Sequence, residues 1–270
     1  MKLGLRVNAF DLGIWLDKNA MPPKDVWEPS VKRAADLGFD GVELCVWFPL
    51  SEWLNEEDIT KMIETAKKHN IEIATISADW CHSYSAYHTS LSDWLRCGNG
   101  IELFKGEIKL AAKLGAKSML WHLGRAKGTM EELKKIFYYF AEEAEKQKVK
   151  IGIESSFWPI IGLGDQYILK ELLDEINSEY FGVYIHGGRK AVEIMEKRSV
   201  GFHFYVMPGF PTLEEKYDYK ALFDTFKKYY DYYIVFEPIS HYTKPYSEYL
   251  SDKSLEKAKI DFDRIFTKYR

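Results

Sequence analysis

Six residues able to ligate a metal or move a proton close short apolar runs: Glu43 in GVEL, His122 in LWHLG, Glu154 in IGIE, His186 in VYIH, His203 in GFHF and Glu237 in IVFE. An unpaired carboxylate buried at the end of such a run is costly, so Glu154 and Glu237 each call for a partner such as a cation. Two carboxylates and three imidazoles converging on one point would form a mixed oxygen and nitrogen donor set for a divalent metal. Each residue also has an ordinary reading. His203 could be a satisfied core histidine, and His186, before two glycines, an exposed turn residue. His122 suits a pocket or simple packing, and Glu43 either a substrate hydroxyl or a basic neighbour.

Convergence requires elements that bring these runs to one axis. Strand-like segments fall at Leu3–Asn8, Gly41–Cys45, Glu72–Ser77, Ser118–His122, Ile151–Ser155, Gly182–His186, Gly201–Val206 and Tyr233–Glu237. They are short, apolar and rich in β-branched or aromatic residues, as strands covered on both faces should be. Helical periodicity lies between them. Asn55 precedes Ile59, Met62, Ile63 and Ala66 on one face, and Asn70 closes that segment. Thr129 and Glu132 have capping-box spacing ahead of Leu133, Ile136, Phe137 and Phe140, while Gly115 ends a run through Phe104, Ile108 and Ala111. Most strands begin roughly 30 to 38 residues after the last, the length of one βα unit. Eight such units predict a single (β/α)8 TIM barrel spanning residues 1–270, with its site at the C-terminal ends of the strands. An open doubly wound sheet competes, but no glycine fingerprint follows the first strand.

Composition narrows the class. The chain has 270 residues, 46% of them hydrophobic, and a formal charge of −4, which argues against a nucleic-acid partner. Cys45, Cys81 and Cys97 form no CxxC pair, so neither a disulfide framework nor a cysteine zinc site is expected. Arg6 and Asp11 break the apolar start, and no run reaches the roughly 20 residues that cross a bilayer. The chain reads as cytoplasmic, with no membrane partner.

Aromatic residues reach 16%, with Trp 8 and Tyr 18. Trp15, Trp27, Trp47, Trp53, Trp80, Trp94, Trp121 and Trp158 all fall at or just past expected strand ends. His82, Tyr84, Tyr87 and His88 join them in a long loop from about Ala78 to Gly100. Flat aromatic faces over a pocket suit the C–H faces of a sugar or polyol; they could equally form a packed lid.

In AADLGFDGVEL, WHLG, GIES, HF and FEP, taken in order, the sequence resembles the xylose-isomerase-like TIM-barrel superfamily of sugar isomerases, ketose 3-epimerases, inosose dehydratases and apurinic-site endonucleases. The resemblance implies a divalent metal held by Glu154, His203 and Glu237, which occupy the fifth-, seventh- and eighth-strand ligand positions. Where family members often carry D-T-x-H at the sixth strand, this sequence has His186-Gly-Gly-Arg189. The expected ligands are therefore Glu154, His186, His203 and Glu237. That set favours Mn²⁺, Zn²⁺ or Co²⁺ over Mg²⁺, since imidazoles replace oxygen ligands. The implied activity is isomerisation or epimerisation of a small sugar or polyol, with Glu154 and Glu237 as catalytic base and acid. Glu43, Trp47, His82, His122, Arg125, Trp158 and Arg189 are the expected substrate-binding residues, and a homodimer is the expected assembly. The alternatives are an inosose-type dehydratase, an apurinic-site endonuclease, and a sugar-binding barrel with a degraded metal site.

Overall fold

The computed structural model describes residues 2–8, 27–46, 49–78, 99–122, 128–154, 166–186, 189–206, 218–238 and 252–269. Eight strands run in chain order: β1 (Lys2–Asn8), β2 (Gly41–Val46), β3 (Glu72–Ala78), β4 (Ser118–Trp121), β5 (Lys150–Glu154), β6 (Phe181–His186), β7 (Ser199–Val206) and β8 (Tyr233–Pro238). Each pairs in parallel with the next, and β1 pairs with β8, closing a single (β/α)8 barrel. Every strand lies within two residues of its expected bounds, because strands buried on both faces show as continuous apolar runs.

The described helices are α1 (Trp27–Asp36), α2 (Leu50–Trp53), α3 (Glu56–Lys68), α4 (Asn99–Leu114), α5 (Met130–Gln147), α6 (Gln166–Ile176), α7 (Arg189–Met195), α8 (Tyr219–Tyr229) and α9 (Asp252–Tyr269). Local chemistry sets their ends. Asn55 and Asp58 exchange side-chain and backbone hydrogen bonds of 2.9 and 3.0 Å at the start of α3. Thr129 and Glu132 do the same for α5 at 2.8 and 3.2 Å, two capping boxes that satisfy otherwise orphaned N–H groups. Asn70 (φ 52°) and Gly115 (φ 78°) turn the chain left-handed after α3 and α4. None of the described helices is long and apolar enough to cross a membrane.

The main core lies between the strands and the helical ring, and several of its largest side chains are aromatic. Trp121 belongs there: its ring packs 5.6 Å from Phe104, 4.7 Å from Phe140 and 5.7 Å from Phe137. Trp27 is also buried, donating from Nε1 to the Met62 carbonyl at 3.2 Å, and Trp53 packs against the core at the end of α2. The expectation of an aromatic ring over the barrel mouth is corrected for these three. Side chains alternate along a strand, and Trp121, next to His122, takes the outward face. Trp15, Trp47, Trp80, Trp94, Trp158 and the aromatic loop lie outside the described residues.

Two irregularities in the sheet matter below. The β2–β3 register shifts between Val42 and Glu43, and the β6–β7 register between Val183 and Tyr184. Such shifts re-aim the side chains beside them.

Candidate active site

Inward-facing positions in the middle and at the C-terminal ends of six strands build the site. β1 supplies Arg6, β2 Glu43 and Cys45, β5 Glu154, β6 Tyr184 and His186, β7 His203, and β8 Glu237; His122 follows β4 directly. Glu43 and His203 are essentially inaccessible, and Arg6, His186 and Glu237 are buried.

The centre of the group is a pair of imidazoles. β6 and β7 set His186 opposite His203, and their rings cross edge to face with His203 Nδ1 and His186 Nε2 only 2.5 Å apart. Glu237 Oε2 lies 3.3 Å from His203 Nδ1 and 3.7 Å from His186 Nδ1. The donor atoms of His186, His203 and Glu237 all fall within 4.8 Å of one another. Glu154 stands beside them, with Oε1 3.2 Å from His186 Nε2 and Oε2 paired with His122 Nδ1. His122 keeps some exposure at the mouth.

A second layer lies behind the imidazoles. Both oxygens of Glu43 sit 2.9 Å from His203 Nε2, and the Tyr184 hydroxyl donates to Glu43 Oε2 at 3.0 Å. Arg6 Nη1 donates to Glu237 Oε1 at 2.6 Å and lies 3.7 Å from Glu43 Oε1, while Nη2 donates to Cys45 Sγ at 2.9 Å. Of the two readings of Glu43, it is the basic partners, His203 and Arg6, that the structure places against it. Tyr184 has the space it occupies because its partner across the ladder is Gly201. A Cβ there would sit 2.0 Å from Tyr184 Cε2.

Burial and charge set the protonation states. Burial pushes the His186 imidazole down to about 4, with Glu154 and Glu237 opposing it, and pushes His203 down to about 4 with Arg6 adding to the effect. Burial would raise the Glu154 carboxyl, but His122, His186 and His203 outweigh it and hold it well below the usual carboxylate range. Both central imidazoles are therefore neutral near pH 7, with a lone pair to offer.

These residues fit a divalent cation. Three buried carboxyl groups share the cup with one guanidinium. Glu237 Oε2 has no hydrogen-bond partner among the described residues, although it is buried and faces two imidazoles. An orphaned acceptor of that kind is what a cation would satisfy.

Of the other expected site residues, Arg189 heads α7, half exposed, with Nε 3.2 Å from Glu193 on its own helix. Trp47, His82, Arg125 and Trp158 lie outside the described residues. The sequence reading passed over Arg6 and Tyr184. An arginine inside LGLRVN needed a buried counter-charge by the same reasoning applied to the glutamates. Tyr184, two residues before His186, shares its face of the strand.

The description "Xylose isomerase-like TIM barrel" matches residues 31–187, more than half of the sequence, and the chain belongs to that family. Solved structures with the same fold include D-allulose 3-epimerase from Methylomonas sp., at 16% identity over 98% of each chain with a TM-score of 0.71. D-psicose 3-epimerase, determined in the presence of D-fructose, aligns over 100% of this chain and 99% of its own at 13% identity and a TM-score of 0.72. An IOLI protein with a bound zinc atom aligns over 100% and 99% at 17% identity and 0.68. At these identities the likeness is one of fold. No curated protein matches the chain.

Proposed function

We propose that the protein is a divalent-metal-dependent isomerase or epimerase of a small sugar or polyol. The observation that carries this reading is the buried His186, His203 and Glu237 cluster, with Glu154 beside it, at the end of the barrel where such folds keep their chemistry. Glu154, His186, His203 and Glu237 would hold the metal, and the two imidazoles favour Mn²⁺, Zn²⁺ or Co²⁺ over Mg²⁺. Such a cation, when bound, polarises a carbonyl oxygen and acidifies the C–H beside it.

The protein's own groups then move the proton. Glu154 is ionised at neutral pH and is the acceptor on one face of the substrate carbon. His122, paired with the other Glu154 oxygen, fixes the carboxylate's direction. Glu237, on a different wall of the barrel, acts as the acid after taking a proton from solvent on Oε2. Its delivery to the opposite face inverts the centre and leaves Glu154 to release its own proton to solvent. Return of the Glu154 proton to the neighbouring carbon, with the hydroxyl proton passing between the two oxygens, instead isomerises the sugar. Arg6 on Glu237 Oε1 leaves Oε2 as the oxygen turned toward the cup.

D-Allulose and D-fructose, named with the structural neighbours, are the first substrates to try. Incubation in D2O with Mn²⁺, Zn²⁺ or Co²⁺ should place solvent deuterium on the carbon beside the carbonyl. Glu154→Gln and Glu237→Gln should each slow that exchange about 10²-fold or more. Wild-type protein that exchanges with no sugar and no metal, or variants that exchange at full rate, would defeat the proposal.

A further inference from the structure

We infer that Glu43 is a positioning residue: it fixes the His203 proton on Nε2, so that the Nδ1 lone pair points into the cluster. The inference rests on reading that cluster as a cation site.

The geometry favours one tautomer. An ionised carboxylate can only accept hydrogen bonds, and both Glu43 oxygens lie 2.9 Å from His203 Nε2, so that nitrogen carries the hydrogen. A neutral imidazole has one N–H, which leaves Nδ1 with its lone pair toward His186 Nε2 and Glu237 Oε2. The opposite tautomer would set the Nε2 lone pair against both Glu43 oxygens at 2.9 Å, whereas this one sets the Nδ1 lone pair against the single Glu237 Oε2 at 3.3 Å, a contact that a cation between them would relieve. Glu43 also accepts from the Tyr184 hydroxyl at 3.0 Å, and Arg6 Nη1 stands 3.7 Å from Oε1 as a counter-charge. With no accessible surface it cannot reach a substrate.

Separate features of the chain converge on this placement. The register shifts at Val42/Glu43 and Val183/Tyr184 adjoin the two residues that hydrogen-bond, and Gly201 makes room for the Tyr184 ring. Partners of this kind behind a ligating histidine set its tautomer and raise its basicity, and their loss lowers metal affinity about 10- to 100-fold.

The test combines ¹⁵N NMR of the histidine tautomers with Zn²⁺ affinity by competition against a chromophoric chelator. His203 signals are assigned by their loss in His203→Gln. Wild-type His203 should be the Nε2–H tautomer without metal. In Glu43→Gln the amide oxygen turns toward Tyr184 and Arg6 and presents its NH₂ to Nε2. His203 should then shift toward Nδ1–H, and Zn²⁺ should bind about 10- to 100-fold more weakly. Tyr184→Phe, which keeps the ring and removes one donor, should retain the tautomer with a smaller loss of affinity. Wild-type His203 protonated on Nδ1 would overturn the inference whether or not Glu43→Gln folds. So would a folded Glu43→Gln with unchanged tautomer and Zn²⁺ affinity. Failure of the wild type to bind any divalent metal would instead sink the cation-site reading and leave the tautomer result to decide the role of Glu43.

Discussion

Arg6 and Glu237 join neighbouring strands of the closed barrel through a 2.6 Å bond between Nη1 and Oε1, with both side chains out of water. The pair splits the carboxylate: one oxygen is neutralised by a fixed guanidinium, and the other faces two imidazoles. Breaking a buried pair from one side strands the remaining charge at a cost of about 3–5 kcal/mol. Arg6→Met should therefore lower the unfolding free energy by about that much in urea titrations, since Glu43 and Glu237 both lose their cation. On the proposed reading of the cup as a cation site, a divalent metal would supply positive charge there, and saturating Zn²⁺ should raise Tm more in Arg6→Met than in the wild type. An equal rise would show that Arg6 does not serve as the internal counter-charge.

Much of this site was legible in the sequence, and what was not has a common cause. Glu154, His186, His203 and Glu237 stand out because a polar group that closes an apolar strand is conspicuous. Arg6 and Tyr184 sit mid-strand, and seeing them as part of the site requires knowing which face of the strand looks inward. The same ambiguity misplaced Trp121. It adjoins His122 in sequence, yet a step of one residue moves a side chain from the cup to the layer under the helices. The strands were legible because two-sided burial leaves a one-dimensional mark, whereas the contact between Glu43 and His203 joins residues 160 positions apart and leaves none.

Acid should destabilise the fold through His186 and His203. Their folded values are pushed from 6.5 down to about 4 by burial, so between these limits the unfolded chain binds protons that the folded chain refuses. The contribution of these two groups should be level above about pH 6.5, fall from there toward pH 4, and level again below it. Two such protons give a slope of up to about 2.7 kcal/mol per pH unit. Glu107 titrates in the same window with the opposite sign, so urea unfolding of a Glu107→Gln background at fixed pH values reads the imidazole slope. A flat profile would mean that the imidazoles are protonated, and partnered, in the native state.

Glu107 should act in the opposite sense. This α4 carboxyl is fully buried, accepts the Ser51 N–H at 2.6 Å and so caps α2, whose preceding residue, Pro49, offers no side-chain cap. Burial raises it to about 7, with the Ser51 hydrogen bonds pulling down and the Glu52 charge adding to the rise. A carboxyl raised in the folded state contributes stability below its unfolded value near 4.5, and loses it as pH rises through about 7. Glu107→Gln keeps an acceptor for Ser51 and cannot ionise. It should leave stability at pH 5 near that of the wild type and raise it at pH 8 by about 1–3 kcal/mol. A loss at pH 8 would show that the ionised carboxylate is the better cap.

Gly201 is where packing and chemistry meet most tightly. Its missing side chain is filled by the Tyr184 ring, and a Cβ would lie 2.0 Å from Cε2 and 2.2 Å from Cδ2, closer than atoms tolerate. The ring is walled in, with 1% of its surface exposed, so Gly201→Ala must displace either β7 or Tyr184 itself. Overpacking of this sort costs about 1–3 kcal/mol, read as a fall in the urea midpoint at unchanged m-value. Its second effect separates a packing role from a functional one. A shift of Tyr184 withdraws the hydroxyl from Glu43 and loosens the carboxylate behind His203. Gly201→Ala should therefore weaken Zn²⁺ binding as well as stability, and adding Tyr184→Phe should weaken binding little further, because the donor it removes is already displaced. If instead the two substitutions lower metal affinity additively, Gly201 and Tyr184 act independently, and the path from the glycine through the phenol to the imidazole does not exist.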